Sequence, residues 1–184
     1  IALMSDTEKF LRGTVIAALF AVPFVVLLVS TSLFFPYITG KNFAFRILVE
    51  VAGCAWLALA LISPAYRPKR SWLLYCMTAF VVAIAAADAF GVYPFKSFWS
   101  NYERMDGWVT LAHLFVFFVA ASSVFTKDLW KRWWQVSLSV SVMAGLYGVM
   151  QFLGLAEIST QSGPRIDGTF GNATYMGIYM LFHV

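Results

Sequence analysis

Charge is what this sequence lacks most. Asp, Glu, Lys and Arg make up 12% of its 184 residues, about half the share of an ordinary soluble domain. Hydrophobic residues make up 61%, and the mean hydropathy is +0.77. That balance excludes a water-soluble fold of this size, and it excludes intrinsic disorder. The net charge is +4, but the cations are scattered between long apolar runs, so no basic patch exists and nucleic acid is excluded as a partner. Cysteine is equally scarce. Cys54 and Cys76 both fall inside apolar runs, which gives no disulfide framework. The two histidines, His113 and His183, have no second His or Cys at ligand spacing, so no metal or other cofactor is expected. A glycine-rich phosphate loop, an internal repeat and a low-complexity tract are all missing.

What is present in quantity is apolar sequence. A membrane-crossing helix needs about 20 predominantly apolar residues. Runs of that kind cover 14–35, 43–63, 71–90, 108–125 and 136–156. A sixth begins near Thr174 and reaches Val184 after 11 residues, too few to cross. The expected fold is an all-α polytopic membrane protein, with five complete transmembrane helices plus the start of a sixth. Residues 1–184 are expected to form a single transmembrane helical domain, the N-terminal part of a longer membrane domain. Met4 is a candidate natural start. Ser5 and Glu8 have the spacing of a capping box that opens the first helix, and Pro23 should kink it.

Orientation follows from the cations of the short loops. With the N-terminus in the cytoplasm, eight Lys and Arg fall inside (Lys9, Arg12, Arg67, Lys69, Arg70, Lys127, Lys131, Arg132) and five outside (Lys41, Arg46, Lys96, Arg104, Arg165). Trp130, Trp133 and Trp134 suit an inner aromatic belt, and Trp99, Tyr102 and Trp108 an outer one.

The residues with chemical promise lie in and beside the outer loops. Arg46 and Glu50, four apart at the start of the second run, share a helix face. They read either as a self-neutralising pair or as a cavity-facing Arg oriented by Glu50. Asp88 raises the same question, with Lys96 or Arg104 as its partner. The loop 91–107 mixes aromatics with Lys96, Glu103, Arg104 and Asp106, a composition that suits sugar or headgroup contact and suits an interfacial loop equally. The loop 157–173 carries Gly163, Gly168 and Gly171 beside Arg165, just before a helix. Helix N-termini and guanidinium groups both favour phosphate.

Three segments carry a resemblance: Thr39-Gly-Lys-Asn-Phe-Ala-Phe-Arg46, Ser97-Phe-Trp-Ser-Asn-Tyr-Glu-Arg104 and, most specifically, Arg165-Ile-Asp-Gly-Thr-Phe-Gly-Asn172. With them the chain resembles the bacterial O-antigen ligase and O-antigen polymerase family along essentially its whole length. The resemblance implies a multi-pass protein of the bacterial inner membrane. It implies metal-independent transfer of a glycan from undecaprenyl pyrophosphate to a lipid or protein acceptor on the outer face. It makes Arg165 the residue that stabilises the pyrophosphate, with Arg46, Lys41, Lys96, Arg104 and Asn172 as substrate-binding residues. The family's catalytic His belongs to a large later loop, beyond Val184, and neither His113 nor His183 takes its place. Asp167 and Glu103 are weak candidates for a general base. Two other classes stay open. One is a transporter or flippase fragment using Arg46, Glu50 and Asp88 as a polar pathway; the other is a non-catalytic membrane subunit.

Overall fold

The structure, a computed structural model, describes residues 5–101, 104–159 and 163–184. The expectations for Met4, Tyr102 and Glu103 lie outside them. All regular elements among the described residues are helical: α1 (Asp6–Ala21), a 3-10 segment (Val22–Leu27), α2 (Thr39–Ile62), a 3-10 turn (Pro64–Tyr66), α3 (Trp72–Ala89), α4 (Pro94–Trp99), α5 (Trp108–Val124), α6 (Lys127–Phe152) and α7 (Ala173–Leu181). Among the described residues three stretches are long and apolar enough to cross a membrane: Asp6–Leu27, Thr39–Ile62 and Trp72–Ala89. Trp108–Val124 is apolar but shorter. Among the described residues the chain is thus all-α, with three candidate membrane-spanning helices.

Local chemistry sets the helix ends. The Ser5 hydroxyl accepts from Glu8 N at 3.2 Å, satisfying one of the first-turn donors that no carbonyl can reach. Ser71 does the same for Leu74 N in α3. Pro23 ends the α-helical part of the first span, because it has no N–H and its ring crowds the preceding turn; the chain continues as 3-10 to Leu27. The first span therefore sits earlier than its apolar run, at 6–27 rather than 14–35. Residues 28–38 turn instead, held by Ser30 N donating to Pro36 O at 3.0 Å.

The chain divides into two compact units, one of 1–22 with 45–126 and one of 23–44 with 127–184. In the first, Val15, Ala18 and Leu19 of α1 are buried, as are Val49, Ala52, Ala55 and Leu59 of α2 and Val119, Ala120, Ala121 and Val124 of α5. The three- and four-residue spacings put the α1 and α2 sets each on one helical face, whereas α5 is buried most of the way round at Val119–Ala121. Five of these residues are alanines, which let helix backbones come close where no hydrophobic effect drives helices together. Gly53 marks one close contact of α2 with α5, since a Cβ there would stand 2.7 Å from Val116 Cγ1. Trp72, Leu73, Phe80 and Val82 of α3 are exposed, an apolar surface that suits lipid.

Candidate functional site

In the second unit the segment Arg165–Asn172 is built around a buried carboxylate. Asp167 is fully buried. Its Oδ1 accepts from Gln151 Nε2 at 2.8 Å and its Oδ2 from Ser159 N at 3.0 Å. Gln151 Oε1 in turn accepts from Gly168 N at 2.8 Å and Asp167 N at 3.3 Å, and Gln151 Nε2 also donates to Glu157 O. The α6 side chain of Gln151 thus clamps both ends of the loop. The Thr169 hydroxyl donates to Val26 O at 2.6 Å. Gly171 has φ +65°, and a side chain there would run into the Tyr37 ring, so only glycine fits both backbone and space. Asn172 caps α7, its Oδ1 accepting from Thr174 N at 2.8 Å. Arg165 stands exposed just ahead of buried Asp167, Gly168 and Thr169.

Lys41 belongs to the same construction. Its Nζ donates to Leu28 O at 2.6 Å, Tyr37 O at 3.0 Å and Thr169 O at 2.6 Å. An ammonium has three N–H donors, so all are committed, and none is left for a substrate in this conformation. The ammonium also lies 5.9 Å from the Phe170 ring centre. Lys41 holds the 28–38 turn and the Thr169 loop together. The Asn172 amide oxygen is engaged at its helix end.

In the first unit Arg46 is 7% exposed. Its guanidinium donates to Met105 O and to Thr110 Oγ1, the latter at 2.9 Å. Met105 has φ +52° and Ser100 φ +65°, a backbone region that side-chain-bearing residues seldom adopt. Arg46 fixes the carbonyl of one of these two unusual positions and so ties α2 to the loop before α5. Arg104 pairs with Asp106 at 3.3 Å. Lys96 is exposed on α4. Among the described residues Asp88 makes no ion pair with Lys96 or Arg104; it lines a cavity of about 550 Å³ with Phe95, Phe98 and Trp108. Trp108 is not a free interfacial anchor, because its Nε1 donates to Val81 O at 3.0 Å.

The pairing of Arg46 with Glu50 is not what forms. Glu50 Oε1 lies 3.1 Å from His113 Nε2 of α5. His113 Nδ1 is 2.7 Å from Val109 O. A carbonyl only accepts, so Nδ1 carries a proton, and one further proton is shared between Nε2 and Oε1. Both side chains border an apolar cavity of about 320 Å³ with Gly53, Trp56 and Leu57. The pair was hidden in the sequence because its members are 63 residues apart. A double-mutant cycle on thermal stability with Glu50→Gln and His113→Phe should return a coupling of roughly 0.6 kcal/mol, the average for polar pairs between membrane helices. The Arg46–Glu50 cycle should come out near additive. The reverse ranking would restore the Arg46–Glu50 unit.

Among the described residues no group of three His, Cys, Asp or Glu stands close enough to hold a metal ion. His183 is used in packing, its Nε2 lying 2.9 Å from Ser137 Oγ and its Nδ1 2.8 Å from Tyr179 O. The chain matches no protein-family model, no curated protein and no solved structure.

Proposed function

We propose that the chain is the membrane part of an O-antigen ligase-like enzyme that moves a glycan from undecaprenyl pyrophosphate to a lipid or protein acceptor on the outer face of the bacterial inner membrane. In this reading it has five complete spans and the start of a sixth, with a cytoplasmic N-terminus. The observation that carries the proposal is Arg165: an exposed cation on the most family-like segment, carried by a loop whose next residues are buried and cross-braced through Asp167, Gln151 and Thr169. A cation held this way can meet a pyrophosphate without the loop having to order first.

Cleaving the sugar–phosphate bond leaves negative charge on the pyrophosphate. A guanidinium binds phosphate oxygens through two parallel N–H donors and stays protonated at any working pH. Arg165 therefore supplies transition-state stabilisation without needing a metal for that task. Arg46, Arg104 and Lys96 give the first unit further cations, of which Arg46 acts by fixing the Met105 loop. Asp167 does not serve as a general base, since both of its oxygens are engaged and it is shielded from solvent.

Transfer by the reconstituted full-length protein, supplied with an undecaprenyl-pyrophosphate-linked glycan and an acceptor, tests the activity. Absence of transfer from a well-folded preparation overturns the proposal. The Glu50–His113 pair beside its cavity favours a second reading, a proton-coupled transporter, for which substrate movement would replace transfer. Orientation is checked by labelling single cysteines at Ala65 and Ser100 after Cys54 and Cys76 are removed. Outside reagent should reach position 100 and spare position 65; the opposite result inverts the topology.

A further inference from the structure

The opposite end of the first unit holds a pocket that the proposed transfer reaction does not use. It encloses about 450 Å³ and is lined by Arg12 of α1, Arg67 and Lys69 of the α2–α3 loop, and Ser122 and Ser123 at the end of α5. Thr110, which receives Arg46, lies near the start of α5. The thirteen residues from there to Ser123 put the pocket about 20 Å away along the helix.

We infer that this pocket binds the phosphate group of an anionic ligand at the membrane–water boundary. Three positive side chains line it and no carboxylate does. A ring of like charges is unfavourable when left uncompensated, so the pocket is built for an anion. Its shape is fixed rather than accidental. Trp56 Nε1 donates to Tyr66 O at 3.1 Å, folding the 63–67 turn back on α2. Arg67 Nε donates to Ala60 O at 3.1 Å, which seats the guanidinium base at the pocket wall.

Capping is the obvious competing role, because cations near the last carbonyls of α2 offset the negative end of its dipole. Arg67 does this through Ala60. Arg12 and Lys69 do not: among the described residues neither makes a hydrogen bond or an ion pair. A second observation points to a ligand. Ser123 Oγ is buried and has no hydrogen-bond partner, a state that costs free energy unless something accepts its proton. Ser122 differs, since its hydroxyl already donates to Val119 O at 3.1 Å. A phosphate in the pocket would neutralise Arg12 and Lys69 together, and the Ser123 hydroxyl, turned toward the pocket, would gain in one of its oxygens the acceptor it lacks. Basic pockets between membrane helices take lipid phosphates by this combination of charge and hydroxyl donors.

Two sources share this chemistry, a phospholipid headgroup and free phosphate, and separate arms distinguish them. The full-length protein in neutral detergent is titrated with phosphatidylglycerol, with phosphatidylcholine and with inorganic phosphate, and bound ligand is read by native mass spectrometry and by the thermal midpoint. The expected result is binding of phosphatidylglycerol over phosphatidylcholine, weakened about thirtyfold in the Arg12→Gln, Lys69→Gln double variant. Ser123→Ala, which leaves charge and volume nearly unchanged, should weaken it too and guards against misfolding of the charge variant. Lys9→Gln with Lys131→Gln removes equal charge elsewhere and should bind normally. Stabilisation by inorganic phosphate that is lost in the same pocket variants assigns the site to a free anion instead, with the phosphate chemistry intact. Equal loss in the Lys9, Lys131 control, or equal binding by all variants, overturns the proposal. Glycan transfer is not a readout here, so failure of the pocket and failure of the ligase reading are separate results.

Discussion

Under the proposed ligase activity, replacing Arg165 with lysine is expected to slow glycan transfer about a hundredfold, equivalent to about 3 kcal/mol, which is the usual loss for one charged donor aimed at a transition state. The substitution keeps the positive charge and removes the planar fork. Two roles for an exposed arginine at a membrane surface separate on that difference. An anchor to lipid phosphates needs charge alone, so lysine should serve nearly as well as arginine. A clamp on a leaving pyrophosphate needs two parallel N–H donors at fixed spacing, which an ammonium does not offer.

Arg165 is exposed. Its side chain contributes little to the core, and the bracing of the loop runs through Asp167, Thr169 and Gly171. Thermal midpoints of the Arg165→Lys and Arg165→Ala proteins are measured beside the rates, so that a loss of folding is told apart from a loss of chemistry. Initial rates of transfer from undecaprenyl-pyrophosphate-linked glycan are the measurement. Near-parental rates in both variants would remove Arg165 from the chemistry.

How far the sequence reveals this architecture depends on the range of each interaction. Local rules were legible. The Ser5–Glu8 spacing marks a real cap, and the apolar runs at 43–63, 71–90 and 108–125 correspond closely to α2, α3 and α5. The first run was misplaced because hydropathy continues past Pro23, while the backbone changes form there and turns at Ser30. Partners were the least legible. Arg46 and Glu50 share a face, yet each finds its partner on or before α5, at Met105 and Thr110 and at His113. Lys41 reads as a cation available to substrate until the carbonyls of Leu28, Tyr37 and Thr169 are seen to take all its protons. No periodicity carries such information, because these groups converge only when the chain folds back on itself. The same holds for Asp167, whose loop position suggested a base and whose burial makes it a strut.

Asp167 is accordingly where the largest loss of stability is expected. Asp167→Ala removes the acceptors of Gln151 Nε2 and Ser159 N together. Hydrogen bonds to a charged group contribute about 1.5–3 kcal/mol each, so the variant should lose about 3 kcal/mol or more and give little folded protein. Asp167→Asn is the sharper test, because it keeps size and shape. Its amide offers one oxygen and one NH2, while the site presents two donors. Whichever way the amide turns, one donor faces another, and the expected cost is about 1–3 kcal/mol for the group left unsatisfied. Gln151→Glu should fail by the complementary route. It keeps the acceptor that serves Gly168 N and Asp167 N but replaces the donor facing Asp167 Oδ1 with a second carboxylate oxygen. Combining the two, Asp167→Asn with Gln151→Glu, places an amide donor opposite a carboxylate again and should recover part of the loss, the signature of direct contact in a double-mutant cycle. Thermal midpoints of the four proteins in one detergent decide the matter. If Asp167→Asn melts with the parent, or if the double variant is no better than the sum of the singles, the Asp167–Gln151 brace does not hold the Arg165 loop, and the presentation of that arginine needs another explanation.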